Sequence, residues 1–363
     1  MRRSVEMVVH PPAGTQAGNQ VIDLRSDTVT KPTEAMYERM RSAPLGDDGL
    51  DGDPTALDLE RRTADLLGKE AGVFVPTCTM ANLIAVLVQA QRADQILVGD
   101  NAHMLRMERG TSVFTGVCVR AVPGTAGAMD RNAVAEILTV DRGRIATALI
   151  CLETSHNAAG GTVLPLAHMQ AIRELANEDG IRVHVDGARI FNAAVALDIA
   201  PDRIASHADT VAICLSKGLS APAGAVLAGP AETIRQARQM RKLLGGTQRQ
   251  IGVLAAAGIE AIEVMRHRLG EDHARAARFS KALNAAGTTL RASAPETNIV
   301  QVDVSKTGRT SFEWVDALTA NGVLTRTVNP ALLRCVTHRH ISEDDIDRAA
   351  DVFLSLAGRE RAA

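Results

Sequence analysis

Lysine is scarce in this sequence. Six residues are lysine (Lys31, Lys69, Lys217, Lys242, Lys281 and Lys306) against thirty-four arginines. Where arginine is the default cation, a lysine that ends an apolar run is not a generic positive charge. There is also no surplus of either sign: the formal net charge is −2, with acids and bases interspersed. No basic stripe marks a nucleic-acid surface. Paired cysteine spacing is missing as well. Cys78, Cys118, Cys151, Cys214 and Cys335 stand apart, and Cys118, Cys151 and Cys214 lie within apolar runs, where cysteine behaves as a small buried hydrophobe. This argues against a disulfide framework and predicts a reducing, cytoplasmic compartment. No apolar stretch reaches the roughly twenty residues of a membrane-spanning helix. The first nine residues carry two arginines and too short an apolar run for a signal peptide. Residues 1–20, rich in Pro, Gly, Gln and Asn toward their end, are expected to form a loose tail.

The chain of 363 residues has 46% hydrophobic and 23% charged residues, the composition of a globular protein longer than one average domain. Short apolar runs at 72–75, 96–98, 117–122, 146–152, 181–185, 211–215 and 224–228 alternate with helical patterns such as 80–91, 132–138 and 166–178. Continuous apolar strands between helices predict a mostly parallel α/β sheet covered on both faces. Asp53-Pro54 reads as a helix start, with a capping carboxylate and a proline in the first turn. Gly245-Gly246 breaks the alternation. Beyond it come an alanine-rich helix (251–265), further helices, short strands near 298–304, 323–328 and 332–336, and a last helix opened by Ser342 and Asp345 as a capping-box pair. We therefore expect a large α/β domain at 21–251 and a smaller α+β domain at 252–363.

Two strand ends stand out. Val211 to Leu215 runs into Ser216-Lys217-Gly218, and Ile181 to Val185 runs into Asp186-Gly187-Ala188-Arg189. In such sheets ligands sit beyond the carboxyl ends of the strands. A primary amine in an apolar cleft has a lowered pKa and forms Schiff bases. An aspartate beside it suits the ring nitrogen of pyridoxal phosphate. Thr77-Cys78-Thr79 joins a strand to a helix start, whose free amides favour a phosphate. His103 and His156-Asn157 follow two other strands. His338 and His340 lack the neighbours a metal site needs.

These residues, with Asp23-Leu24-Arg25-Ser26-Asp27, Gly46-Asp47-Asp48, Glu153, Gly160-Gly161, Arg241-Lys242, Arg249-Gln250 and Arg334-Cys335-Val336-Thr337-His338, run in the order of the L-threonine aldolase family over about residues 21 to 340. The chain resembles that family of fold-type-I pyridoxal-phosphate enzymes. The resemblance implies a fold-type-I α/β architecture and cleavage of a β-hydroxy-α-amino acid to glycine and an aldehyde. It implies that Lys217 carries the cofactor and Asp186 pairs with its ring nitrogen, and that His103 stacks on the ring and moves protons. The amides of Cys78 and Thr79, with Arg249 of a neighbouring subunit, would hold the phosphate. Ser26, Arg189, Arg334 and Lys242 would serve the substrate carboxylate side, with Arg189 also near the cofactor and His156 near the substrate hydroxyl. A homo-oligomer, dimer or tetramer, with a shared site follows, and the alanine-rich helix is expected to support it.

The sequence departs from the family pattern at Leu50, where a tyrosine is usual, at Cys78 in the phosphate loop, and at Leu105 and Met107, where aromatics are usual. Those changes predict a more apolar pocket wall and a larger, apolar β-substituent on the substrate. β-Elimination, racemisation and transaldol-type carbon–carbon bond formation stay open as alternative reactions, as does a cofactor-binding homologue without catalysis.

Overall fold

The computed structural model describes residues 21–358, so the expected tail at 1–20 lies outside them. All seven expected apolar runs become strands of one sheet: β1 (Ala71–Val75), β2 (Gln95–Gly99), β3 (Cys118–Val122), β4 (Thr147–Glu153), β5 (Arg182–Gly187), β6 (Thr210–Cys214) and β7 (Ala225–Gly229). Their order is β1-β7-β6-β5-β4-β2-β3. The pairs β3–β2, β2–β4, β4–β5 and β5–β6 are parallel, while β7 runs antiparallel to both neighbours. Every residue of β6 and β7 is buried, as expected for strands covered on both faces. At the β3 edge the rule fails. Cys118 is exposed, because an edge strand has one flank open, so an apolar run there does not guarantee burial.

Helix starts follow the sequence signals. Asp53 accepts the amides of Thr55 and Ala56 at 3.0 Å and caps Pro54–Leu66. Its carboxylate also lies where a Cβ on Gly252 would be, so that position admits only glycine without a shift. Thr77 caps Cys78–Gln89. Ser342 and Asp345 exchange side-chain to backbone bonds of 2.9 and 3.1 Å, the reciprocal arrangement of a capping box.

The smaller lobe has an antiparallel sheet of β8 (Arg291–Ala292), β9 (Ile299–Asp303), β10 (Arg326–Asn329) and β11 (Leu332–Val336), in the order β8-β9-β11-β10. Its core contains Phe279, Trp314 and Phe353, with Trp314 and Phe353 stacked at 5.8 Å.

The lobes divide differently from the expected boundary at both ends. The helix Gly252–Glu263 packs on Glu34–Ser42 and Pro54–Leu66 and joins the core of the large sheet. It is apolar almost all round and buried within its own chain, so its alanine content carries no argument for an oligomer. Conversely, Ile22–Asp23 pairs in parallel with Val323–Leu324, and Ile22 and Leu24 belong to the small-lobe core. From Ile22 the chain thus runs out of the small lobe and crosses to the large one.

Trp314 is the chain's one tryptophan and reports on the small lobe. Phe353→Ala should destabilise that lobe by roughly 3–5 kcal/mol, the usual cost of emptying a buried aromatic site. Urea titration followed by Trp314 fluorescence should show a lower midpoint; an unchanged midpoint would mean that the aromatic pair does not hold the lobe together.

Candidate active site

The parallel strands β2, β4, β5 and β6 end at one edge of the sheet. A cavity of about 380 Å³ opens there, and Ser26, His103, Asp186, Arg189, Lys217 and Arg334 all line it. Six of the expected site residues, separated by up to 308 positions in sequence, therefore share one cleft.

Asp186 is 2% exposed. Its Oδ1 accepts the Ala188 amide and its Oδ2 accepts Nδ2 of Asn82, each at 3.1 Å. Asn82 is itself fixed. Its Oδ1 faces Nε2 of His184 at 3.1 Å, and Nδ1 of that ring faces the Thr210 hydroxyl at 2.9 Å. Burial pushes the His184 pKa down to about 4, so the ring is neutral, with its proton on Nε2 for Asn82 and Nδ1 accepting from Thr210. The carboxylate of Asp186 is thus held rigidly at the cleft floor, with no cation of the described residues in ion-pair contact. A protonated ring nitrogen fits that vacancy of charge.

Lys217 follows β6 closely, and its carbonyl accepts the Thr30 hydroxyl at 2.7 Å. Burial and the Arg189 charge favour its neutral form, but Cys214, Cys78 and Asp186 outweigh them and its pKa is raised. The expected lowering does not occur, because the cleft is not apolar around the amine. Cys78 and Thr79 supply the first two amides of the helix Cys78–Gln89, which have no acceptor within the helix. The Cys78 thiol bonds Cys214, which raises the first and lowers the second.

His103 is held from two sides. Its amide donates to Glu153 at 2.6 Å, and its Nδ1 lies 3.0 Å from Glu108. The turn Met104–Glu108 is a π-helix, and this widened register carries Glu108, five residues on, back beneath the ring. The Glu108 hydrogen bond, aided by the Asp186 and Glu108 charges against burial and Lys217, raises the His103 pKa.

The two arginines divide the work. Arg189 directs Nε and Nη2 at the carboxylate of Asp27 at 2.8 and 2.6 Å, and both side chains are almost wholly buried. Burial opposes ionisation of Asp27, yet the Arg189 charge and hydrogen bonds prevail and hold its carboxyl well below the usual range. Arg334 has no such partner. It donates Nη1 to Asn157 at 2.8 Å and Nη2 to the Arg25 carbonyl at 3.1 Å, and its buried Nε bonds nothing. Burial, then repulsion from Arg189 and Arg326, pushes its pKa down to about 10.

Other expected residues lie elsewhere. His156 lines a neighbouring cavity of about 230 Å³, with Nε2 3.8 Å from Glu153 and Nδ1 accepting the Ala159 amide. Lys242 is exposed on Ala231–Leu243, and Arg249 is exposed, 3.4 Å from Asp47; neither lines the cleft of its own chain. Of the altered wall residues only Met107 does. Leu105 packs against the cluster of Val86, Ile96 and Met104, and Leu50 is 78% exposed.

Asp27, Asn82, Glu108 and Asn157 had no assigned role in the sequence. Asn82 had a legible signal, since it stands one helical turn after Cys78; Glu108 had none, because a π-turn has no sequence period. Removing the Asp27 charge should leave Arg189 buried and unpaired. Asp27→Asn should cost roughly 3–5 kcal/mol of stability near pH 7. The deficit should begin to shrink below pH about 4, where the unfolded wild-type carboxyl takes up its proton, and should disappear only as the pH approaches the much lower folded pKa. Equal stability of the two proteins at pH 7 would refute this.

The comparisons with known proteins agree with this geometry. The family model described as beta-eliminating lyase matches residues 23–307. A probable low-specificity L-threonine aldolase 2 of Arabidopsis thaliana is 41% identical over 93% of this chain and 97% of its own length. The low specificity L-threonine aldolase of Escherichia coli K12 is 38% identical over 93% and 100%. A solved structure of Leishmania major threonine aldolase shares the fold, with a TM-score of 0.80 at 19% identity, covering 93% of this chain and 99% of that one. With a fold-type-I α/β sheet and this cleft, the chain belongs to the L-threonine aldolase group of the beta-eliminating lyase family and is a pyridoxal-phosphate-dependent lyase.

Proposed function

We propose that this protein cleaves a threonine-like β-hydroxy-α-amino acid to glycine and an aldehyde. The observation that carries the reading is the cleft itself: Lys217, the rigid Asp186 held by neutral donors, and Arg334, which has no carboxylate partner, meet in a single cavity. The residues fit pyridoxal phosphate, with Lys217 to hold it covalently, Asp186 for its ring nitrogen, and the Cys78 and Thr79 amides for its phosphate. When bound, that cofactor supplies a sink for the electron pair left on Cα when the Cα–Cβ bond breaks.

The chain's own residues do the rest. Arg334, with a free Nε and no acid to neutralise it, receives the substrate carboxylate. A bidentate grip fixes the rotation about Cα and so selects which bond breaks. Arg189 is committed to Asp27 and acts chiefly as a wall, with only Nη1, 3.4 Å from Asn157, turned to the cleft side. Ser26 caps the short turn at Asp27–Val29 and lines the same side. Glu108 anchors His103 through Nδ1, which leaves Nε2 for the β-hydroxyl proton. His103 is better placed for this than His156, which lines the adjoining cavity. Racemisation and β-elimination need the same anchors. A histidine poised for a hydroxyl proton, together with the threonine aldolase relatives, favours carbon–carbon cleavage.

A homo-oligomer completing the site is part of this proposal. Arg249 and Leu50 are exposed outside their own cleft, which suits a phosphate contact and a wall position delivered to a neighbouring subunit. All five cysteines are free, which supports a cytoplasmic setting.

The test is glycine and acetaldehyde release from threonine by the cofactor-loaded enzyme across pH. As a base, His103 must first lose its proton, so kcat/KM should rise with pH through a limb above the ordinary histidine value of about 6.5. Glu108→Gln removes the anion that raises this pKa and should shift the limb downward. No glycine at any pH from threonine or from any other β-hydroxy-α-amino acid offered would overturn the function; a limb unmoved in Glu108→Gln would overturn the role of His103.

A further inference from the structure

The positive charge around the cleft exceeds what threonine would use. Arg326 opens β10 and pairs in register with Arg334 on β11, and both line the cavity. Like charges directly opposite on an antiparallel ladder repel, and Arg326 is one of the charges that depress the Arg334 pKa. Among the described residues no carboxylate lies in ion-pair contact with either guanidinium. Arg106, also on the cavity, spends its Nε on the Asp100 carbonyl at 2.7 Å and is otherwise exposed.

The two acids on the cavity are committed elsewhere. Glu153 takes the amides of His103 and Asn157 at 2.6 and 2.8 Å, and Asp186 is held by Asn82 and Ala188. Arg189 is neutralised from behind by Asp27. An amino acid's own carboxylate answers one cation, Arg334. Arg326 is then left facing the same space with no anion. Gln301, also on the cavity and in register with Arg334 on the side away from Arg326, is neutral and uses Nε2 on the Ala158 carbonyl at 3.1 Å.

We propose that the preferred substrate is a β-hydroxy-α-amino acid whose β-substituent carries a second anionic group, and that Arg326 receives that group. The proposal rests on the aldolase reading above. The reaction balances without a further reactant. The β-hydroxyl proton leaves to a base, Cα–Cβ breaks, the distal fragment departs as an aldehyde bearing the anion, and Cα gains a proton to become glycine. The wall is therefore selective for charge rather than for apolar bulk: Met107 is the one altered wall residue on the cavity, and Arg326 stands on it as well.

The experiment compares acid and amide pairs that differ only in charge: 3-hydroxyaspartate with 3-hydroxyasparagine, and 3-hydroxyglutamate with 3-hydroxyglutamine. Glycine release by the cofactor-loaded enzyme gives kcat/KM for each. A hydrogen bond to a charged group, worth roughly tenfold or more, should favour the acid by about that factor in at least one pair. Arg326→Gln, on an exposed strand end, should bring that ratio down to within about threefold. Amides equal to or better than acids in both pairs, or a ratio that survives in Arg326→Gln, would overturn the proposal. If neither threonine nor any of the four is cleaved, the aldolase reading fails separately. Calorimetric Kd ratios for the same pairs, in wild type and Arg326→Gln, then decide the charge reading by the same criteria.

Discussion

The buried ion pair between Asp27 and Arg189 joins the parts of this molecule. Asp27 sits on a segment that starts in the small-lobe core at Ile22 and Leu24, while Arg189 follows β5 of the large sheet. The Asp27 carboxylate also accepts Nδ2 of Asn298 from the small lobe at 3.3 Å, and Thr30, three residues on, bonds the carbonyl of Lys217. One buried charge pair therefore fixes the N-terminal crossing, the lobe contact and the lysine loop together. A pair this deep is costly to break because either partner alone would be an unpaired buried ion. That cost gives the cleft a defined geometry.

The same pair sets the chemistry by subtraction. Arg189 is neutralised by a residue of its own chain, so it is a poor receiver for a substrate carboxylate. On the reading proposed above, Arg334, bonded only to an amide oxygen and a carbonyl, is the receiver. Asp186 shows the complementary case, a buried carboxylate satisfied by neutral donors. On the same reading, Asp186 would face a cationic ring nitrogen and Arg334, with Arg326, would face anions, charges that the chain itself does not supply.

Much of this was legible in the sequence. The continuous apolar runs gave all seven strands, and lysine and aspartate at two strand ends marked the floor of the cleft. What escaped has physical reasons. Glu108 meets His103 through a π-turn, which leaves no periodic trace. Asp27 and Arg189 are 162 positions apart, and neither flank hints at the other. The raised pKa of Lys217 depends on Cys78, Cys214 and Asp186 converging, which apolar flanking residues concealed. The place of Leu105 after His103 predicts pocket wall, but it is partly buried against Val86, Ile96 and Met104 instead. The glycine pair before Gly252–Glu263 suggests the start of a second domain; the all-round apolar surface of that helix instead requires enclosure, which here the large-lobe core supplies.

The account stands on Lys217 as the residue that holds the cofactor. Borohydride reduction of the cofactor-loaded protein, followed by proteolysis and peptide mass mapping, should place the cofactor on the peptide that contains Lys217 and on none carrying Lys31, Lys69, Lys242, Lys281 or Lys306. Lys217→Ala should lose both the label and the visible absorbance. Label on another lysine, or retained in Lys217→Ala, would contradict the assignment of this cleft.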